Sequence, residues 1–91
     1  MNKIINGKKY DTETATEVCE HENYNNGNLC SWDTIYCKKT GEFFLYHGTN
    51  GQDLWDNKRY IQPLTEEEAK EKCQEWMTGD EYEEFFGEVE E

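Results

Sequence analysis

An α+β domain is the fold class this 91-residue sequence predicts: a small antiparallel sheet of three to four strands, with acidic C-terminal helices packed on one face. Three observations carry that reading. Runs rich in β-branched and aromatic residues, separated by Gly- and Asn-containing turns, fill residues 1–64. The hydrophobic pattern changes to a helical period after Leu64, and a Thr-x-x-Glu start signal, Thr65 to Glu68, stands at that change. A single domain, 1–91, is expected: 1–64 mainly β, 65–87 helical and 88–91 a frayed acidic tail.

Each element has its own warrant. Asn6-Gly7 between Ile4-Ile5 and Lys8-Lys9-Tyr10 reads as a tight hairpin, because both turn residues tolerate positive φ. Residues 11–24 fit two patterns. Thr12, Thr14, Thr16 and Val18 alternate as in a strand, while Ala15, Val18 and Cys19 fit a helical stripe behind an Asp11 cap. The β-branched residues favour the strand. Asn23 to Asn28 has the composition of a loop. Residues 34–46 give the clearest hairpin, two β-rich runs around Lys39-Thr40-Gly41. A longer loop is expected over 47–57, with Leu54 and Trp55 folding back onto the core. Arg59 to Leu64 reads as another strand, with Pro63 placing it near a sheet edge.

In the helical part, Leu64 and Ala69 fit a hydrophobic staple, and Ala69, Cys73, Trp76 and Met77 form one apolar stripe. Gly79 is expected to end this helix. Asp80 with Glu83 then reads as the start of a second, carrying Tyr82, Phe85 and Phe86 as far as Gly87. Phe43 and Phe44 must point to opposite faces of the sheet. One face is therefore expected under the helices and the other under loops or a second subunit.

Charge is the strongest functional signal. Residues 61–91 hold twelve carboxylates against two lysines, so −10 of the net −12 lies in the terminal third. Such a surface repels nucleic acid and anionic membranes, and it suits the basic grooves that hold nucleic acid. Glu67, Glu71 and Glu75 recur every four residues opposite the apolar stripe, and Asp80, Glu81, Glu83 and Glu84 extend them. Like charges at that spacing destabilise an isolated helix by roughly 0.2–0.5 kcal/mol per pair. These seven are the expected partner-binding residues. The competing account is a coat of charge that keeps the protein dispersed, on a dimeric structural or regulatory module.

Other chemistry is poorly served. Cys19, Cys30, Cys37 and Cys73 are spaced 11, 7 and 36 apart, without the close pairs of a structural zinc site, and no metal or other cofactor is expected. With no apolar leader at the start, they are expected to stay thiols in a reducing cytosol. His21 and His47 lack a nucleophile motif, Ser31 is the only serine, and Gly48-x-x-Gly51 lacks the Lys-Ser/Thr of a phosphate loop. No catalytic residue is assigned, and an enzyme is not expected. Trp32, Tyr36, Phe43, Phe44, Tyr46, Trp55 and Tyr60 have no basic groove around them, so a base-stacking platform is disfavoured against core packing.

Residues 5–15 (Ile5-Asn6-Gly7-Lys8-Lys9-Tyr10-Asp11-Thr12-Glu13-Thr14-Ala15), 36–46 (Tyr36 to Tyr46), 61–69 (Ile61 to Ala69) and the closing 80–89 together resemble a family of short acidic proteins of phages and mobile elements in Gram-positive bacteria. The chain differs from that pattern at His47-Gly48-Thr49-Asn50-Gly51, where the family has a longer Gly-Gly loop. Proteins of this kind are similar to anti-CRISPR and anti-restriction inhibitors that imitate DNA. The resemblance implies a viral protein acting in the bacterial host cytoplasm. Its partner would be a CRISPR effector or another defence nuclease with a basic DNA channel; separately, a homodimer would be one way to enlarge the thin core expected of so short a chain. The resemblance implies no direct contact with nucleic acid or membrane and supplies no catalytic residues.

Overall fold

The computed structural model describes residues 1–49 and 59–87. It has the α+β architecture: a two-stranded antiparallel ribbon, a four-stranded antiparallel sheet and two C-terminal helices. The strands are β1 (Asn2–Ile5), β2 (Lys8–Asp11), β3 (Thr16–Asn25), β4 (Asn28–Cys37), β5 (Phe43–Thr49) and β6 (Tyr60–Leu64); the helices are α1 (Glu66–Trp76) and α2 (Gly79–Phe86). The larger sheet runs in the order β3-β4-β5-β6, so every connection joins neighbours. Pro63, which cannot donate to a ladder, sits on the edge strand β6 as its chemistry requires.

Two hairpins turn on the same chemistry. Asn6 and Gly7 have φ of 52° and 76°, and Asn26 and Gly27 have φ of 51° and 80°. Two consecutive left-handed residues make the turn whose twist matches paired strands. The second of these corrects the loop expected over 23–28: most of that stretch is strand, and only Asn26 and Gly27 lie between β3 and β4. Residues 12–15 depart from the expected alternation. The Asp11 side chain accepts the Glu13 N–H at 2.9 Å and its carbonyl accepts from Ala15 at 3.1 Å, holding a turn, so the strand starts only at Thr16. The β4–β5 reversal at Lys39-Thr40-Gly41 is as expected, closed by the Lys38 N–H to Glu42 carbonyl bond of 2.7 Å.

The helical boundaries also need correction. α1 stops at Trp76, and Gly79 opens α2 instead of ending α1. The second capping box is Thr78 with Glu81, not Asp80 with Glu83: only a hydroxyl at position 78 reaches the Glu81 N–H. Residue 47 to 49 belong to β5, while the loop placed at 50–57, with Leu54 and Trp55, and the tail 88–91 fall outside the described residues.

Phe43 and Phe44 divide the core. Phe43 joins Ile35, Leu45, Leu64, Ala69 and Cys73 on the helix side, where Trp76, Tyr82 and Phe86 also pack. Phe44 lies on the other side with Tyr10 and Ile61. There the cover is the β1–β2 ribbon, whose Tyr10 ring meets Phe44 edge-on at 5.5 Å. That ribbon reaches one end of the face, and the remainder carries half-buried aromatic side chains and exposed carboxylates.

Candidate functional site on the C-terminal helices

Each helix is started by a reciprocal cap. In α1 the Glu68 N–H donates to Thr65 Oγ1 at 3.1 Å and the Thr65 N–H donates to Glu68 Oε1 at 3.0 Å. In α2 the same pair of bonds joins Thr78 and Glu81, at 3.1 and 3.2 Å. Accepting the backbone N–H of Thr65 holds the Glu68 carboxyl below the usual carboxylate range, and Thr78 does the same for Glu81. These two carboxylates stay ionised and are committed to the helix ends.

Ala69 and Cys73 are buried to the last atom, which fixes how α1 is rotated against the sheet. At about 100° per residue, Glu67, Glu71 and Glu75 then lie on the side facing away from the sheet. All three are exposed. Their lysine neighbours are engaged elsewhere: Lys70 pairs with Glu66 at 3.2 Å, and the Lys72 ammonium sits 5.5 Å from the centre of the Trp76 ring. Among the described residues no ion pair reaches Glu67, Glu71 or Glu75. The result is a row of three carboxylates along one helix face, none of them in an ion pair among the described residues. Glu71 and Glu75 also line a shallow depression with Glu68 and Lys72.

α2 contributes less uniformly. Tyr82 and Phe86 face the core, so Asp80 and Glu84 point away from it while Glu81 and Glu83 fall on opposite flanks. Glu81 and Glu84 border a depression with Val18, Met77 and Phe85. All four acidic residues of this helix are exposed. The seven expected residues are therefore ordered on two helices, with Glu67, Glu71 and Glu75 forming one row and Glu81 turned to its cap.

The cysteines, far apart in sequence, are in part brought together by the fold. Cys19 on β3 meets Cys73 on α1, sulfur to sulfur at 3.2 Å, whereas Cys30 is exposed near the far end of β4. Burial raises both thiols of the Cys19–Cys73 pair above the ordinary thiol value, which disfavours the thiolate form. Among the described residues no three His, Cys, Asp or Glu side chains are grouped to hold a metal ion. His47 Nδ1 lies 2.6 Å from Asp33 Oδ1 and its ring stacks on Tyr60. Among the described residues no serine or cysteine is hydrogen-bonded to that imidazole.

Sequence reasoning missed a second group of carboxylates. Glu17, Glu20 and Glu22 on β3 share the sheet face opposite the helices with Trp32, Thr34, Tyr36 and Tyr46. Simple alternation would put Glu17 and Glu20 on different faces. A bulge between Glu17 and Cys19 restores them to one.

No family model, curated protein or solved structure matches the chain. Among the described residues no helix is long and apolar enough to cross a membrane.

Proposed function

We propose that this chain is a non-enzymatic inhibitor of a bacterial defence nuclease, most specifically an anti-CRISPR protein that blocks target-DNA binding. In this reading the acidic helices dock into the Lys- and Arg-lined channel of the effector in the bacterial host cytoplasm. The observation that carries it is the row Glu67, Glu71 and Glu75, exposed along one face of α1 and in no ion pair among the described residues. Side chains at this spacing have Cβ atoms about 5–6 Å apart, a repeat similar to that of phosphates along a strand. Guanidinium groups that bind phosphate can bind clustered carboxylates through the same donors. The concentration of negative charge steers encounter with a basic cleft and makes association sensitive to salt.

The test is competition for an effector. The triple variant E67K/E71K/E75K should weaken inhibition of target-DNA binding by about tenfold or more, equivalent to at least ~1.4 kcal/mol of binding. Its circular dichroism should match the parent, because all three residues are exposed. Raising the salt should weaken the parent's inhibition and leave the variant little changed. Full inhibition by a folded triple variant would rule out docking through this face.

A further inference from the structure

The sheet face opposite the helices has a different chemistry from the helix surface. Between the ribbon-covered end and the β3–β4 turn lies an open depression of about 340 Å³, lined by Trp32, Tyr36, Tyr46, Glu17 and Glu20. That is at the small end of ligand-binding pockets, roughly 300–1,000 Å³. Its groups converge. Glu17, Glu20, Tyr36 and Tyr46 all line it, and burial, then Glu17, Glu20 and Tyr46, raise the Tyr36 hydroxyl above its ordinary value. Burial also raises the Glu20 carboxyl, followed by hydrogen bonds with Glu22 and Glu17. None of the ion pairs among the described residues involves Glu17, Glu20 or Glu22. Among the described residues these carboxylates thus stand beside the phenols without an ion pair.

One cation of the chain nevertheless shows what these rings accept. The Arg59 guanidinium carbon lies over the Trp32 ring, 5.6 Å from its centre. The indole itself lies flat on β5 at Gly48, where a Cβ would come within 2.4 Å of the ring. Trp32 is therefore a fixed shelf whose position depends on a glycine beneath it.

We propose that this depression is a receptor for an arginine side chain carried on a basic segment of a partner protein. Arginine suits it better than lysine. A guanidinium is planar and stacks on aromatic faces while its fork of N–H donors meets two carboxylate oxygens. A compact, strongly hydrated ammonium can also sit over a ring, as Lys72 does at Trp76, but it offers neither a flat stacking surface nor a fixed fork of donors. A nucleic-acid base would stack equally well, but its phosphates would meet Glu17, Glu20 and Glu22. The site lies on the sheet face away from α1, so its occupation and docking through Glu67, Glu71 and Glu75 can be broken separately.

The test uses the full chain labelled with nitrogen-15 and three capped peptides, Gly-Gly-X-Gly-Gly, in which X is arginine, lysine or citrulline. The arginine peptide should give saturable shifts at the Trp32 indole N–H and the Thr34 and Tyr46 amides. The lysine peptide should bind at least about fivefold more weakly, the guanidinium stacking contribution being about 1 kcal/mol. Neutral citrulline should give no saturable shift. E17Q/E20Q removes the negative charge while keeping side chains that can still hydrogen-bond to each other and to Glu22, so it should keep the parent fold and lose the arginine response. Binding by citrulline or lysine equal to that by arginine would overturn the proposal. So would an undiminished response in E17Q/E20Q, or shifts confined to α1 and α2.

Discussion

The two faces of the sheet are built from adjacent residues and reach opposite outcomes. Phe43, Ile35 and Leu45 are sealed beneath α1 and α2, and the charge on that side is displaced to the outer surface of the helices. Phe44 faces the other way and is covered at one end by a four-residue-stranded ribbon, after which aromatic rings and carboxylates stand on the sheet itself. Negative charge is thus present on both sides in different settings. On the helices it stands away from the core; on the sheet it stands beside aromatic rings, and Glu20 there is partly dehydrated. The first setting suits long-range attraction of a basic surface, and the second suits one cation held at short range.

The largest effect expected from this difference is at Phe44, fully buried between Tyr10 at 5.5 Å and Tyr36 at 5.2 Å. F44A should reduce stability by about 3–5 kcal/mol in urea denaturation, the usual cost of deleting a buried ring. F43A removes packing against Phe85 and Phe86 and belongs to the same range. Hydrogen exchange separates the two. F44A should release the β1–β2 ribbon, seen as lost protection at the Tyr10 amide, while F43A should release α2. If the ribbon stays protected in F44A, it is held by something other than this ring, and the contrast between the faces weakens.

Much of this architecture was legible because local signals agreed with one another. Asn6-Gly7, the run from Thr34 to Tyr46, Pro63 and the Thr65–Glu68 box each name a local geometry that tertiary packing leaves alone. The misreadings have definite causes. Asn25-Asn26-Gly27 looked like loop because its composition is polar, yet only two of its residues turn. Asp80 is intrinsically as good a cap as Thr78, and what distinguishes Thr78 is its place in a Thr-x-x-Glu box with Glu81, the same box as Thr65 with Glu68. The row Glu67, Glu71 and Glu75 could be read from helical spacing. The Glu17–Glu20–Glu22 group could not, because the bulge that aligns it and the strands that bring Tyr36 and Tyr46 beside it are products of pairing between distant segments.

A smaller effect is expected at the helix caps, and it asks whether the two helices cover the sheet equally. T65A and T78A each remove a side-chain bond to an N-terminal N–H, for which about 0.5–2 kcal/mol is usual. α1 buries Ala69 and Cys73, whereas α2 has no fully buried residue. Loss of the first cap should therefore lower the global unfolding free energy. Loss of the second should appear chiefly as faster amide exchange within α2, because that helix can open without dismantling the core. Equal global destabilisation by the two variants would show that α2 unfolds only with the rest of the domain.

The smallest effect, and the one most specific to the open face, concerns Glu20. Burial and its hydrogen bonds with Glu22 and Glu17 raise its carboxyl above the ordinary glutamate value, while the Tyr24 hydroxyl holds Glu22 below it. A carboxyl raised in the folded state binds its proton more tightly there than in the unfolded chain. Stability then falls as pH rises from the ordinary glutamate value through the raised one, and the deficit persists at neutral pH. E20Q removes the ionisable group and should be more stable than the parent at pH 7 by about 0.2–1 kcal/mol, the scale of exposed charge interactions. Below the ordinary glutamate value both carboxyl and amide are neutral, so the two unfolding curves should converge. Glu22 moves the parent in the opposite sense, chiefly through Tyr24, which both proteins keep, and partly through its hydrogen bond with Glu20, so the same comparison is made in an E22Q background. A stability difference that is flat with pH, or that favours the parent at neutrality, would mean that Glu20 is not held against its neighbours, and that the open face lacks the unmet negative charge that makes it a place for a guanidinium.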